Sequence, residues 1–496
     1  MPRVSLTMIV RDEELRLARC LKSAADLVDE IVIVDTGSTD ATKAVAAGFG
    51  PQVKIIDFPW CDDFAAARNE SLRRASGDWA LWLDADDRLD ELNRQRLKNL
   101  LVGLPDVRNS DELAVYLMQC VNVSAGDEGV ATALEHGRLF RIDPRVRWQY
   151  RVHEQIVPAI ERLGGQKLRS DVAIHHFGYS DAAERRQKLF RDLRLLEFDG
   201  AERPDDPLTL FHLGWTQHLL GQSASAAATL ERCRQVAPPQ LAIVRRLYAL
   251  LVRSLRETGR AGEAAAICRA GRAVYPGDAE LLFHEGQMLC ERGEFAAAEV
   301  SLLRLVGLPP DGPMASGEDP GIRGHKGRCV LAEVYRAWGR AAEAEAQWRA
   351  AIDLRPDYLT PWICLGDFYL AQGRWADAES LRRELEHERG RPVDALLLRA
   401  RAQMARREFG EARKLAEMAI SQAPQAFAPR EILSHVLVLE GRDWAAAETA
   451  VREVLARQPN NPTAQINLSV VLRQREAARQ AGDDQDPPWG GSIIVG

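Results

Sequence analysis

From Leu208 onward the chain returns to one pattern at an interval near 34 residues, and this periodicity restricts its fold more than any other feature. Pro276 and Pro310 stand 34 residues apart, Pro356 and Pro424 stand 68 apart, and Pro424 and Pro459 stand 35 apart. Between the prolines run Ala-rich amphipathic segments, with small residues such as Gly214, Ala226, Ala264 and Ala298 at recurring places. A unit of this length forms two helices but cannot bury its apolar face alone, so stability requires a stack in which each unit covers the next. The spacing predicts seven units ending at Pro238, Pro276, Pro310, Pro356, near Gly390, at Pro424 and at Pro459, with a capping helix over Ala464–Gln474.

The N-terminal part obeys a different rule. Apolar runs of strand length, Val4–Val10, Ile31–Val34, Val53–Phe58 and Trp79–Leu83, alternate with segments of helical period, which predicts a largely parallel sheet. The first such segment places Leu15, Ala18, Cys20, Leu21 and Ala25 at helical spacing after Asp12-Glu13-Glu14, acids that suit a helix N-terminus. The second strand runs into Asp35-Thr36-Gly37-Ser38-Thr39-Asp40, which is neither a dinucleotide fingerprint nor a Walker loop. A carboxylate here could accept from a base or ribose, and Thr39 or Asp40 could equally cap the next helix.

The fourth run breaks into Asp84-Ala85-Asp86-Asp87. Ligands bind at the C-terminal ends of strands in open α/β sheets, and two hard carboxylates one residue apart suit a divalent cation that also holds a diphosphate. An Asp-rich turn that caps the next helix fits the same residues.

At 496 residues the chain exceeds one ordinary core. A formal net charge of -7 supplies no basic field and argues against nucleic acid as the main partner. No apolar run reaches the roughly 18 residues that span a bilayer, and Met1–Val10 meets Arg11-Asp12-Glu13 too soon for a signal peptide. Eight cysteines without a Cys-x-x-Cys pair read as reduced thiols of a cytoplasmic protein. The expected domains are 1–180, a connecting helix and linker over 181–207 with a turn at Arg203–Pro207, the helical array over 208–475, and a tail over 476–496. The Asp311–Gly321 insertion is expected to be a surface loop.

Four motifs in order, Ile9-Val10-Arg11-Asp12-Glu13-Glu14, Asp29–Asp40, Ala67-Arg68-Asn69 and Leu83-Asp84-Ala85-Asp86, resemble family 2 glycosyltransferases of the GT-A fold, a Rossmann-like α/β architecture. The resemblance implies an inverting transferase that uses a nucleotide-diphosphate sugar and a Mn2+ or Mg2+ ion. It implies that Asp35 contacts the nucleoside, Asp84 the ribose or a metal-bound water, and Asp86 the metal and diphosphate. Glu13 and Arg68 then line the nucleotide pocket, and Val10 and Ala85 belong to the same site. Two departures, Arg11-Asp12-Glu13 where many relatives have Lys-Asn-Glu and Thr36 where many have Asp, leave base specificity open.

Glu135–Arg141, Val152-His153-Glu154 and Ile174-His175-His176-Phe177-Gly178-Tyr179 resemble the subgroup in which this domain precedes helical repeats. His176 fits the late histidine that completes metal coordination in many such enzymes, while a core histidine bonded to backbone is the alternative. Inversion needs a general base on the face opposite the leaving group, and Glu154, then Glu135, are the candidates; salt bridges with Arg138, Arg141 or Arg151 are the competing role. In the array, Trp362, Leu365, Gly366 and Tyr369 reproduce the opening pattern of a tetratricopeptide repeat.

Such an array presents a concave surface, so the expected acceptor is a peptide or protein held there, and self-association into a homo-oligomer is the bland alternative. The resulting function is transfer from a UDP-sugar, with GDP- or dTDP-sugars as alternatives. Competing functions are transfer to a lipid-linked or cell-surface glycan, nucleotidyl transfer, and a repeat adaptor with a silent transferase domain.

Overall fold

A computed structural model describes residues 2–105, 112–122, 132–178, 182–309, 319–458 and 461–481. Pro310, most of the 311–321 insertion, Pro459, Tyr179, Ser180, Asp181 and the 482–496 tail lie outside the described residues. The chain divides into two compact units, Met1–Arg292 with Gly307–Arg323, and Gly293–Val306 with Gly324–Gly496.

The first unit contains an eight-stranded sheet of β1 (Val4–Val10), β2 (Glu30–Asp35), β3 (Val53–Asp57), β4 (Trp79–Trp82), β5 (Asp87–Arg88), β6 (Ala114–Asn122), β7 (Thr132–Arg141) and β8 (Gln166–His176). Its order is β3-β2-β1-β4-β7-β6-β8-β5. The first four are parallel, β7 runs antiparallel to β4 and β6, and β5 runs antiparallel to β8. Strands β2 and β4 are buried at every position, as continuous apolar runs covered on both faces should be. One face packs Leu6, Met8, Ile31, Ile33 and Leu81 with Leu17, Leu21 and Leu97; the other packs Ala80, Trp82 and Phe140 with Trp148, Ile156 and Ile160.

The helix after β1 is shorter than the helical spacing of Leu15 to Ala25 predicts. Helix α1 covers Leu17–Lys22 and α2 covers Thr42–Ala47, six residues each. Leu15, expected on the apolar face of the first, is 80% exposed. The acids thought to open that helix bind the neighbouring loop instead: Asp12 accepts from the Thr39 N–H, Glu14 from the Ala41 N–H, and the Glu14 N–H donates to Asp40. Those bonds hold residues 12–14 out of helical register, so the helix begins only at Leu17. Helices α3 (Phe64–Arg74) and α4 (Glu91–Val102) start on side-chain caps, Asp63 to the Ala66 N–H and Asp90 to the Asn93 N–H. Since Asp90 caps α4, that role does not fall to Asp84, Asp86 or Asp87.

Helix α5 spans Val157–Arg162, and α6 (Ala182–Glu202) leads into the array through the expected turn before Pro207. Helices α7 (Pro207–Leu219) and α8 (Ser223–Val236) pair, as do α9 (Ile243–Glu257) and α10 (Ala261–Val274), followed by α11 (Ala279–Glu291). Gly214 allows the first pair to close: a Cβ there would lie 2.6 Å from the Leu230 side chain.

The second unit holds α12 (Phe295–Val306), α13 (His325–Ala337) paired with α14 (Ala341–Leu354), and α15 (Leu359–Ala371) paired with α16 (Trp375–Arg383). Helices α17 (Pro392–Ala405) and α18 (Phe409–Gln422) form the next pair, α19 (Ala428–Glu440) and α20 (Trp444–Arg457) the last, and α21 (Pro462–Ala481) closes it. Trp362, Leu365 and Tyr369 are almost fully buried, in keeping with their repeat pattern. Among the described residues no helix is long and apolar enough to cross a membrane.

Candidate functional site

The strand ends explain which side chains meet. Val10 and Asp35 are register partners at the C-terminal ends of β1 and β2, and Asp84 follows the end of β4. The strand order reverses between β1 and β4, the position where open α/β sheets form a ligand crevice. Ala85 is buried between Asp84 and Asp86.

Asp35 is 1% exposed, and its Oδ1 accepts from the N–H groups of Gly37 and Ser38 at 2.9 and 2.8 Å. Its Oδ2 is buried without a hydrogen-bond partner, while Lys43 Nζ lies 3.9 Å from Oδ1. A buried acceptor in that state costs free energy unless something outside the chain donates to it. Glu30, a buried carboxylate at the opposite end of the same strand, accepts from Ser5, Lys54 and Ser76; burial would raise it, but these bonds hold it at about 2. The open acceptor is therefore confined to the end of the strand that faces the site.

Four groups, Asp84, Asp86, Asp87 and His176, bring one ligand atom each to within 4.8 Å of one another. Pairing of β5 with β8 creates this, because Asp87 and His176 are register partners. Asp87 is fully buried and saturated: its Oδ2 accepts from Arg138 Nη1 at 2.7 Å and from the Asp84 N–H at 2.8 Å, and its Oδ1 lies 2.9 Å from His176 Nδ1. With Nδ1–H given to Asp87, the imidazole keeps its lone pair on Nε2, the arrangement by which a carboxylate orients a metal-ligating histidine. His175 turns away to Asp90 at 3.1 Å, as alternation along a strand requires.

Asp86, 3.4 Å from His176 Nδ1, is pushed up to about 6 by burial and by Asp84, Asp87 and Glu13, with His176 opposing. Burial would raise Asp84 as well, but Arg68 and Arg138 hold it well below the usual carboxylate range. Burial lowers His176, yet the bond to Asp87 and the charges of Asp86 and Asp87 leave it raised above its ordinary value. Crowded carboxylates with an oriented imidazole match the mixed oxygen and nitrogen set that Mn2+ takes, and the carboxylates by themselves suit Mg2+, so the residues fit such an ion.

Arg68 organises the other side of the site. Its guanidinium donates to Asp84 Oδ1 at 2.9 Å and to Glu154 Oε1 at 2.6 Å, and lies 4.3 Å from the Trp82 ring and 5.1 Å from that of Trp148. The next residue in the motif, Asn69, clamps the Trp148 backbone, donating to its carbonyl and accepting from its N–H. Glu154 thus stands in the site, and its ionic partner is Arg68 rather than any arginine named from the sequence. Glu135 bonds Gln119 on the neighbouring β6 and Arg169 on β8 one strand further, again none of those arginines. Glu13 bonds Arg16 at 3.4 Å and, through its N–H, Thr42.

Two residues of the site escaped the sequence analysis. Asp87 reads there as one more acid of the turn, and Arg138 as a surface cation; the structure buries both and stacks Arg138 on Trp82 at 3.7 Å. The third acidic residue of Asp84-Ala85-Asp86-Asp87, directly after an apolar strand, was the available signal for Asp87.

The model of "Glycosyl transferase family 2" matches residues 5–102, and the model "Tetratricopeptide repeat" matches 250–313, 329–389, 365–427 and 437–484. Over 221 residues the chain is 35% identical to a TPR repeat-containing protein of Synechococcus elongatus, covering 43% of this chain and 52% of that one. It is 27% identical over 234 residues to the SPbeta prophage-derived glycosyltransferase SunS of Bacillus subtilis, covering 47% and 53%. With the lipopolysaccharide core biosynthesis glycosyltransferase LpsC of Rhizobium meliloti it shares 31% over 162 residues, covering 31% and 57%. The chain therefore spans about half the length of the curated relatives it matches. The family 2 match stops at residue 102, short of Arg138, Glu154 and His176, whose place in the site rests on geometry. The chain joins an N-terminal domain of glycosyltransferase family 2 to a C-terminal array of tetratricopeptide repeats.

Proposed function

We propose that this chain is an inverting glycosyltransferase that moves a sugar from a UDP-sugar to a peptide or protein held by residues 208–475. The observation that carries the proposal is the unpartnered Asp35 Oδ2 at the same sheet edge as the Asp84, Asp86 and His176 cluster. An N–H of a pyrimidine base would satisfy the first, and a diphosphate with its cation the second. Asp86 and His176, with Asp84 beside them, would hold Mn2+ or Mg2+, which supplies positive charge for the departing diphosphate. Arg68 fixes Glu154 Oε1, leaving Oε2 to take the acceptor's proton on the face opposite the leaving group. Arg68 also ties the Glu154 position to Asp84, so base and donor site are set by one rigid group.

The repeats favour a protein acceptor because stacked helix pairs offer an extended recognition surface. Eight free cysteines suit a reducing cytoplasm. Similarity to LpsC favours a second reading, transfer to a glycan with the array engaging a partner protein. Calorimetry with UDP and Mn2+, followed by donor-hydrolysis assays over a panel of nucleotide sugars, tests the proposal. Absence of UDP binding in the presence of Mn2+ would refute it; turnover only with a glycan acceptor would select the second reading.

A further inference from the structure

We infer that α6 and α7 belong to the transferase site: Asp199 and His212 position the loop Tyr150–Glu154 and, through it, the Glu154 carboxylate. This rests on the role proposed for Glu154. The loop leaves and rejoins the sheet domain at one point, where Gln149 and Gln155 exchange backbone hydrogen bonds at 3.1 and 3.0 Å. Five residues lie between, and each is held by something outside the loop.

Tyr150 donates its hydroxyl to Asp206, which also caps α7 through the Thr209 N–H. The Arg151 N–H donates to Asp199 Oδ2 at 2.9 Å, and Asp199, 1% exposed, is itself fixed by Arg203 at 2.7 Å. The Arg151 guanidinium reaches Glu202, and its carbonyl accepts from the Phe64 N–H. Val152 packs with Leu195, Leu196 and Leu213, alongside Trp60 and Phe64. His153 stacks on His212, with ring centroids 4.2 Å apart and planes 15° from parallel. Glu154 is anchored by Arg68 of α3, the helix whose Phe64 also meets Arg151 and Val152.

None of the five is glycine, yet two have left-handed backbone, Tyr150 at φ 74° and His153 at φ 55°. Such conformations persist where the surroundings over-determine them, and here four of the five residues take an anchor from α6, α7 or the turn between them. A carboxylate that must meet one proton needs this kind of support, because displacement of about 1 Å costs on the order of 10²-fold in rate. The helix that reads in sequence as a connector is accordingly a wall of the site. Sheet domain and α6–α11 also fall within one compact unit.

The test uses the full chain with Asp199→Asn, His212→Ala and His212→Phe. Hydrogen exchange of the 150–154 amides is followed together with kcat and KM for hydrolysis of the UDP-sugar. The first two variants should expose the loop amides and lower kcat by about 10- to 100-fold with donor KM changed less than about 2-fold. His212→Phe, which retains a flat ring, should restore most of kcat. Unchanged exchange in both variants, or full kcat in a variant with an exposed loop, would overturn the inference. Equal loss of kcat and donor affinity would also overturn it, as general damage. If the wild-type chain turns over no nucleotide sugar, the proposed function fails, and the exchange data alone decide the positioning by the same criterion.

Discussion

Metal affinity should fall steeply on acidification, because a cation and protons compete for the same side chains. Asp86 is pushed up to about 6, by burial first and then by Asp84, Asp87 and Glu13. Protonation blocks a ligand carboxylate, so affinity is complete above that value and lost below it. About nine-tenths of Asp86 is ionised at pH 7 and about one-tenth at pH 5, which raises the Kd for Mn2+ about 10-fold over that interval, or about 1.4 kcal/mol. His176 acts in the same direction: its pKa lies above its ordinary value, and the ring must shed its proton to offer a lone pair, so the observed slope should exceed the Asp86 contribution. Calorimetry with Mn2+ from pH 5 to pH 8, in two buffers of different ionisation enthalpy, measures both affinity and protons released. Asp86→Asn should bind more weakly at pH 7 and with a shallower pH slope. Affinity that stays flat between pH 5 and pH 7, or an unchanged slope in Asp86→Asn, would show that the ion does not bind through these groups.

Other expectations follow from single contacts. Arg138→Met leaves Asp87 buried without its cation and should cost about 3–5 kcal/mol, read from denaturant unfolding of the N-terminal domain; a loss below about 1 kcal/mol would mean the pair counts no more than an exposed one. Glu154→Gln keeps shape but cannot accept a proton, and should lower kcat by about 10²-fold or more with UDP affinity little changed, while Glu135→Gln stays near wild type. A crippled Glu135→Gln beside an active Glu154→Gln would reverse the two roles. Gly214→Ala drives a Cβ against Leu230 at 2.6 Å and should destabilise the first repeat by about 1–3 kcal/mol, visible as a lowered melting temperature.

Local patterns were legible where local forces decide. The strands Val4–Val10, Glu30–Asp35, Val53–Asp57 and Trp79–Trp82 fall on the predicted apolar runs, and for the central three this is because a buried parallel strand needs little beyond an unbroken apolar stretch. Helix α1 was misjudged because Asp12 and Glu14 make bonds across 26 or 27 residues, which no helical periodicity records. The expected third repeat unit, closed by Pro310, has its helices α11 and α12 in different compact units.

By itself the sequence determined the two architectures and the place of the carboxylates at strand ends, because periodicity and chain reversal are encoded over a few residues; His176 and Glu154 became candidates through the family resemblance. Tertiary structure alone decided who meets whom. Register between β5 and β8 sets His176 on Asp87 across 89 residues, and Arg68 reaches Glu154 across 86. Asp87 and Arg138 became the buried centre of the site instead of a turn residue and a surface cation for the same reason. The docking of α6 and α7 on the Glu154 loop depends on side chains packed from four separate elements, and no short stretch of chain carries that information.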